Sequence, residues 1–224
     1  MRADDLVAAF DSVPNAWRKV LRRWTPEAQS RVTSAVLRAS GSRLIGPADP
    51  FRALRFMAPH EARVVVFGQD PYPTPNQADG LAFSAERSTR PSLRRIFEVL
   101  ETDRAGWRRP VSGRLDAWAQ QGVLLLNPAL SVELGRKESH LDVGWQVLTA
   151  DIVCVLLAQP NPPVFLLWGS KAQTFFHSAC GQQSGRVKVL STRHPSNDFK
   201  RQFMADGSHF AATSDRVNWW CLGE

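Results

Sequence analysis

The stretch Arg63-Val64-Val65-Val66-Phe67-Gly68-Gln69-Asp70-Pro71-Tyr72 decides the fold, because an apolar run without polar alternation passes through a glycine into a polar loop. A run so short and so uniformly apolar reads as a β-strand buried on both faces, as in parallel sheets. Three later runs repeat the pattern. Val123-Leu124-Leu125-Leu126 leads into Asn127-Pro128, Val164-Phe165-Leu166-Leu167-Trp168 into Gly169-Ser170, and Val187-Lys188-Val189-Leu190 into Ser191-Thr192-Arg193-His194-Pro195-Ser196. Helical patterns follow near 92–102, 144–159, 170–180 and 207–218. This alternation predicts an α/β fold with a central four-stranded parallel sheet flanked by helices. The first two runs read as central strands, and Lys188 marks the fourth as an edge.

Residues 1–60 read as helical. Thr25-Pro26-Glu27 places an N-cap residue before a proline at the first helical position, and Asp49-Pro50 repeats the device. The expected division is a helical flank at 1–48 packed on a single domain at 49–224, since 224 residues suit one domain of roughly 100–200 residues with a small appendage. Internal repeats, low-complexity tracts and long linkers are absent from the sequence.

Hydrophobic residues at 43% and charged residues at 22% are ordinary globular usage. The net charge of +7 and the pI near 10.0 point to a polyanionic partner, nucleic acid first and an anionic membrane surface second. The longest apolar runs, such as Ile152 to Ala158, fall far short of the roughly 20 residues of a spanning helix. The start Met1-Arg2-Ala3-Asp4-Asp5 lacks the basic-then-apolar order of a secretory signal. Together they predict no membrane association and a cytoplasmic, nucleoid-associated location. Cys154, Cys180 and Cys221 form no CxxC pair, so reduced thiols are expected, with neither a zinc site nor a four-cysteine iron–sulfur cluster.

Ligands of open α/β sheets bind beyond the carboxyl ends of the strands. Those exits offer a carboxylate (Asp70), an amide (Asn127), a small loop (Gly169-Ser170) and an imidazole (His194). Each has a local explanation, since Asp or Asn before proline favours a turn and Gly-Ser starts helices; their joint appearance at four strand ends points instead to a site. The sequence contains no P-loop, dinucleotide fingerprint, nucleophile elbow or paired-histidine zinc motif. What remains suits hydrolysis of a bond to a polar heterocycle. Tyr72 is the only tyrosine beside twelve phenylalanines and eight tryptophans, and it lies in the densest polar loop. Phe83 reads equally as a core side chain or as a platform on which a base stacks.

The segment from Gly68 to Ser84, GQDPYPTPNQADGLAFS, closely resembles the water-activating and uracil-binding segment of family-1 uracil-DNA glycosylases. Leu124-Leu125-Leu126-Asn127, Gly144-Trp145, Val164 to Ser170, His194-Pro195-Ser196 and Ser208-His209-Phe210 match in the same order. The resemblance implies that Asp70 orients the attacking water and stabilises the charge developing on the sugar, and that His194, neutral, donates a hydrogen bond to the departing uracil oxygen. It implies that Asn127 reads the uracil edge, that Gln69 belongs to the uracil pocket, that Phe83 stacks on the flipped base, and that Tyr72 fills the space a thymine methyl needs. Arg90-Pro91-Ser92, Gly169-Ser170 and Pro195-Ser196 resemble the loops that compress the DNA backbone. It implies a monomer acting on uracil-containing DNA that releases free uracil and leaves an abasic site, without metal or organic cofactor.

The departures are specific. Pro73 and Asp79 stand where the family usually has histidines, so one polar contact is missing and a carboxylate is expected near bound phosphate. Asn197-Asp198-Phe199 replaces the family's Pro-Leu-Ser wedge. Either Phe199, with Lys200 and Arg201, takes over the wedge, or Phe199 packs into the core and Asp198 caps a turn. The eight arginines of residues 87–114 read as a phosphate-binding rim or as a solvated helix face. Two alternative functions follow: a glycosylase relative with altered base or strand preference, or a non-catalytic DNA-binding replication accessory. Joint retention of Asp70, Asn127 and His194 speaks against the latter.

Overall fold

Val64–Phe67 forms strand β1, and all of it is buried. It pairs in parallel with β2 (Val123–Leu126) on one side and with β3 (Val164–Trp168) on the other; β3 in turn pairs in parallel with β4 (Val189–Thr192). The strand order is β2-β1-β3-β4. Val65 lies level with Leu124 and Phe165, and Leu167 with Ser191, so the four carboxyl ends open on one edge. The computed structural model describes residues 1–3, 5–87, 90–181, 185 and 187–222.

The α/β class and the four parallel strands are as the sequence predicts, but the order corrects one expectation. β2 is an edge strand, not a central one. Its uniformly apolar sequence answers to cover rather than to a second neighbour: the Ala82 N–H donates to the outward carbonyl of Leu125 at 3.0 Å, and a one-turn helix at Asp116–Ala119 packs buried Trp118 nearby. β4 is the other edge, as Lys188 suggested, but it begins two residues late, because its ladder starts where the Phe165 N–H meets the Lys188 carbonyl.

Four longer helices carry the packing. α1 (Pro26–Ser40) starts as expected, with the Thr25 hydroxyl accepting from the Ala28 N–H and Pro26 at the first position. α2 (Pro91–Asp103), α3 (Gln146–Leu157) and α4 (Ser170–Cys180) fall close to their predicted spans. α4 covers β1 and β3 by setting Phe175 and Phe176 against Phe67 and Phe165, with ring centroids 4.7–6.5 Å apart. The helix expected at 207–218 is absent. The Ser208 hydroxyl accepts from the N–H groups of Phe210 and Ala211, and Phe210 and Trp219 lock onto Trp118, leaving one 3-10 turn at Ala211–Thr213. At Asp49-Pro50 the helix is a single turn, Arg52–Arg55, with the Asp49 carboxylate accepting from the Phe51 N–H. Trp24 stacks on Trp145, and Phe10 and Phe51 meet them edge-on or tilted, so one aromatic cluster joins the N-terminal segment to the rest.

Two buried histidines lie within this framework. His140 sits between the hydroxyls of Ser40 (2.7 Å from Nε2) and Ser131 (2.8 Å from Nδ1), and His209 Nδ1 accepts from the Trp168 indole at 3.2 Å. Burial pushes each down to about 4. An unfolded histidine titrates near ~6.5, so between that value and about 4 the unfolded chain binds more protons than the folded one. Stability therefore falls as pH falls through that window. Urea midpoints measured from neutral to acid should decline across it, and His140→Gln, which keeps a donor and an acceptor for the two serines, should flatten the decline.

Candidate functional site

The strand exits surround a cavity of about 500 Å³. From β1 come Gln69, Asp70 and Tyr72; from β2, Asn127; from β3 and the start of α4, Gly169 and Ser170; and after β4, His194 and Ser196. Phe83 and Ser92 complete the predicted residues that line it. Pro91, Pro195, Phe199, Lys200 and Arg201 are not in the lining.

Two glycines let these side chains meet. A Cβ on Gly68 would overlap Asn127 Oδ1, so the Asn127 carboxamide, 8% exposed, rests directly on the Gly68 backbone. Gly169 has φ +97°, and a Cβ there would lie 2.8 Å from that of His194, so the imidazole packs against bare main chain. Phe83 is held at φ +64°, a conformation that residues bearing a Cβ rarely adopt. It places the ring between Trp168 at 5.4 Å and His194 at 5.9 Å. Phe83 is thus both packed and part of the cavity wall.

The electrostatics divide the two central groups. The Ser196 N–H donates to His194 Nδ1 at 3.2 Å, with the Ser196 hydroxyl 2.8 Å away. A backbone N–H can only donate, so Nδ1 is the acceptor and the neutral ring carries its proton on Nε2. Burial, with Lys171 and Lys137 nearby, lowers the His194 pKa below its usual value. Burial raises that of Asp70, opposed by the Glu138 N–H, which donates to Oδ2 at 2.9 Å. The Glu138 carboxylate raises it further, and Lys137 and Lys171 draw it back. Tyr72 is pushed up to about 12, chiefly by burial; its hydroxyl donates to the Phe83 carbonyl at 3.3 Å, and the Arg90 guanidinium stands 5.0 Å from the ring centroid.

Sequence reasoning missed Glu138. The Gln69 carboxamide, Lys171 and Lys137 hold its carboxylate at about 2, although the Gln69 Nε2 is buried without a well-formed hydrogen bond among the described residues. Only its place in the loop after β2 could have signalled it, because no motif or periodicity marks that loop.

Two expectations are corrected. Asp79 is not presented to a bound phosphate; it accepts from the Leu81 N–H and the Ser84 hydroxyl and pairs with Arg52 at 3.2 Å, which fixes the loop. Among the arginines of 87–114, Arg95, Arg109 and Arg114 are engaged by Asp198, Glu101 and Asp116, while Arg90 lines the cavity. Ser88 and Thr89 of that run lie outside the described residues. Phe199 does not pack into the core; it is 97% exposed. Asp198 does cap the turn, accepting from the Phe203 N–H at 2.8 Å and pairing with Arg95 at 2.5 Å.

A partly buried carboxylate and a neutral imidazole donor, together with an amide and a stacked aromatic, can hold a planar polar ring and stabilise charge as its bond to a neighbouring group breaks. The family described as the Uracil DNA glycosylase superfamily matches residues 54–217. The chain is 41% identical over 198 residues to a Uracil-DNA glycosylase of Bordetella parapertussis, covering 85% of this chain and 76% of that one. It is 42% identical over 182 residues to a Uracil-DNA glycosylase of Haemophilus influenzae, covering 79% and 81%. In fold it is similar to the crystal structure of mimivirus uracil-DNA glycosylase, with a TM-score of 0.66 and 24% identity over 86% of this chain and 67% of that one.

The tautomer of His194 is directly measurable. Nitrogen-15 NMR of the imidazole should show an unprotonated Nδ1 and a protonated Nε2 at neutral pH, with protonation only below the ordinary histidine value. Titration at or above that value would contradict the arrangement.

Proposed function

The chain belongs to the uracil DNA glycosylase superfamily, and from that membership we propose the residue roles by which it removes uracil from DNA. It is a DNA repair enzyme that hydrolyses the N-glycosidic bond between uracil and deoxyribose. The observation that carries the assignment of roles is the Ser196 N–H on His194 Nδ1, which leaves the Nε2 proton for a ligand in a cavity shared with Asp70 and Asn127.

As the bond breaks, its electron pair passes into the uracil ring, and the sugar gains positive charge. The His194 Nε2–H hydrogen-bonds the uracil oxygen on which negative charge gathers, and the dry surroundings strengthen that bond. The Asp70 carboxylate stabilises the sugar cation and orients a water whose oxygen bonds to the anomeric carbon; the water's proton passes to Asp70 and then to solvent. Asn127 accepts from one uracil N–H and donates to the adjacent carbonyl, a pattern that cytosine reverses. Phe83 stacks on the base, Gln69 closes the pocket beside it, and the buried Tyr72 ring occupies the space of a thymine methyl.

Ser92 with Pro91, Ser170 with Gly169, and Ser196 with Pro195 contact the DNA backbone on either side of the flipped nucleotide. Phe199, with Lys200 and Arg201, is the wedge that enters the stack. Its exposure and the Asp198–Arg95 pair that fixes its turn support that role. The enzyme works as a monomer at the nucleoid, and its products are free uracil and an abasic site.

Asp70→Asn should lower uracil release by orders of magnitude with DNA binding nearly unchanged, since the lost interaction belongs to the transition state. Near-normal turnover by that variant would remove Asp70 from the chemistry. Unstacking a duplex costs a few kcal/mol and a single strand much less. Phe199→Ala should therefore slow excision from duplex about ten-fold and leave single-stranded substrate little changed; equal loss on both would assign Phe199 a different role.

A further inference from the structure

Two main-chain N–H groups of residues 133–140 grip the loop that follows β1. The Glu138 N–H donates to Asp70 Oδ2 at 2.9 Å, and the Gly135 N–H to the Pro73 carbonyl at 2.8 Å. Glu138 adopts φ +62° to do so, which a residue with a Cβ keeps only where its surroundings enforce it. The enforcement comes from the N-terminal segment. Ile45–Gly46 pairs antiparallel with Val132–Glu133, and the Leu134 N–H donates to the Leu44 carbonyl at 2.9 Å. The Ser40 hydroxyl meets His140 Nε2 at 2.7 Å, and the Ser139 hydroxyl accepts from the Glu133 N–H at 2.8 Å.

The hinge of this arrangement is an ion pair. Arg43 Nη1 donates to Glu133 Oε1 at 2.5 Å; the Glu133 side chain is 3% exposed and that of Arg43 is 67% exposed. The other cation near Glu133, Arg136, stands back at 3.7 Å, and Glu133 Oε2 has no hydrogen bond among the described residues. Removing Arg43 would take away the only cation hydrogen-bonded to this buried carboxylate among the described residues and leave Arg136 at 3.7 Å as its counter-charge, which is unfavourable. The loop can relieve it by shifting at Glu133, and that shift draws the Glu138 N–H off Asp70.

We propose that Arg43, which is not in the cavity lining, is a positioning residue for Asp70, acting through Glu133 and the 133–140 loop. The proposal rests on the reading of Asp70 as the water-orienting carboxylate. The charged and titratable groups that line the cavity with Asp70 are Tyr72 on the same loop, Glu138 and Lys137 on residues 133–140, Lys171 on α4, His194 after β4 and Arg90 before α2. Arg43→Ala leaves every one of them in the chain. Its particular effect is loss of the N–H that, among the influences on Asp70, most favours the ionised form; with Asp70 still buried in the cavity, that loss moves the acid limb of activity to higher pH.

The test compares Arg43→Ala, Arg43→Lys and Asp70→Asn in the full chain, following uracil release from a single-stranded oligonucleotide against pH, with melting temperatures alongside. Arg43→Ala should lower kcat about ten-fold with KM nearly constant and shift the acid limb upward, and Arg43→Lys should recover most of both. A folded Arg43→Ala with an unmoved acid limb, whether or not kcat falls, overturns the proposal while leaving Asp70 in its role if Asp70→Asn is inactive. An active Asp70→Asn instead overturns the underlying reading. Should Arg43→Ala melt below the assay temperature, Arg43→Gln, which removes the charge and keeps most of the side chain, carries the same expectation, and an unmoved acid limb in that variant overturns the proposal.

Discussion

Parallel pairing is the constraint from which the site follows. Every carbonyl and N–H of a buried strand needs a partner, and β1 obtains them by lying level with β2 and β3 along its length. Once that register is set, Gly68, Asn127 and Gly169 must emerge at one edge, and β4 delivers His194 to the same place. No long-range design of the loops is needed to bring carboxylate, amide and imidazole together. The loops only have to turn, and the glycines are where they turn closely enough for side chains to touch main chain.

The same dryness acts on Asp70 and His194 in opposite senses, because burial disfavours whichever form is charged. It lifts the carboxylate and depresses the imidazole. For His194 this favours the neutral donor that its proposed role calls for. For Asp70 it is an obstacle, and the Glu138 N–H and the two lysines counteract it. Lys137 and Lys171 thus serve both groups: a positive potential favours the ionised acid and the neutral base together. Their exposure makes that help sensitive to salt.

The strands, their exits and the cavity residues were legible because their signals are local: an apolar run, a turn residue, a helix start. What was not legible depends on partners distant in sequence. β2 looked central because burial by a covering loop and burial by a neighbouring strand leave the same apolar pattern. Residues 207–218 carry helical periodicity, yet Phe210 and Trp219 find better packing on Trp118 than a continuous helix would allow. Asp79 read as a charge facing DNA, and only Arg52, twenty-seven positions earlier, shows it to be neutralised. Phe199 is the reverse case, since hydrophobicity argued for the interior and the Asp198–Arg95 pair turns the chain outward beneath it. Glu138 had no motif to mark it, because its main contribution is a main-chain N–H, which any residue could supply.

The solitary Tyr72 has a spectroscopic corollary. With one phenol in the chain, any tyrosinate absorbance that develops in alkali comes from the wall of the cavity at the strand ends and from nowhere else. Burial delays that ionisation to about 12, well above the ordinary phenol value near ~10. The ultraviolet difference spectrum of the native protein is therefore silent over a range of alkaline pH in which a loosened pocket would absorb. The chain carries a built-in optical gauge of whether the cavity is closed around its ring.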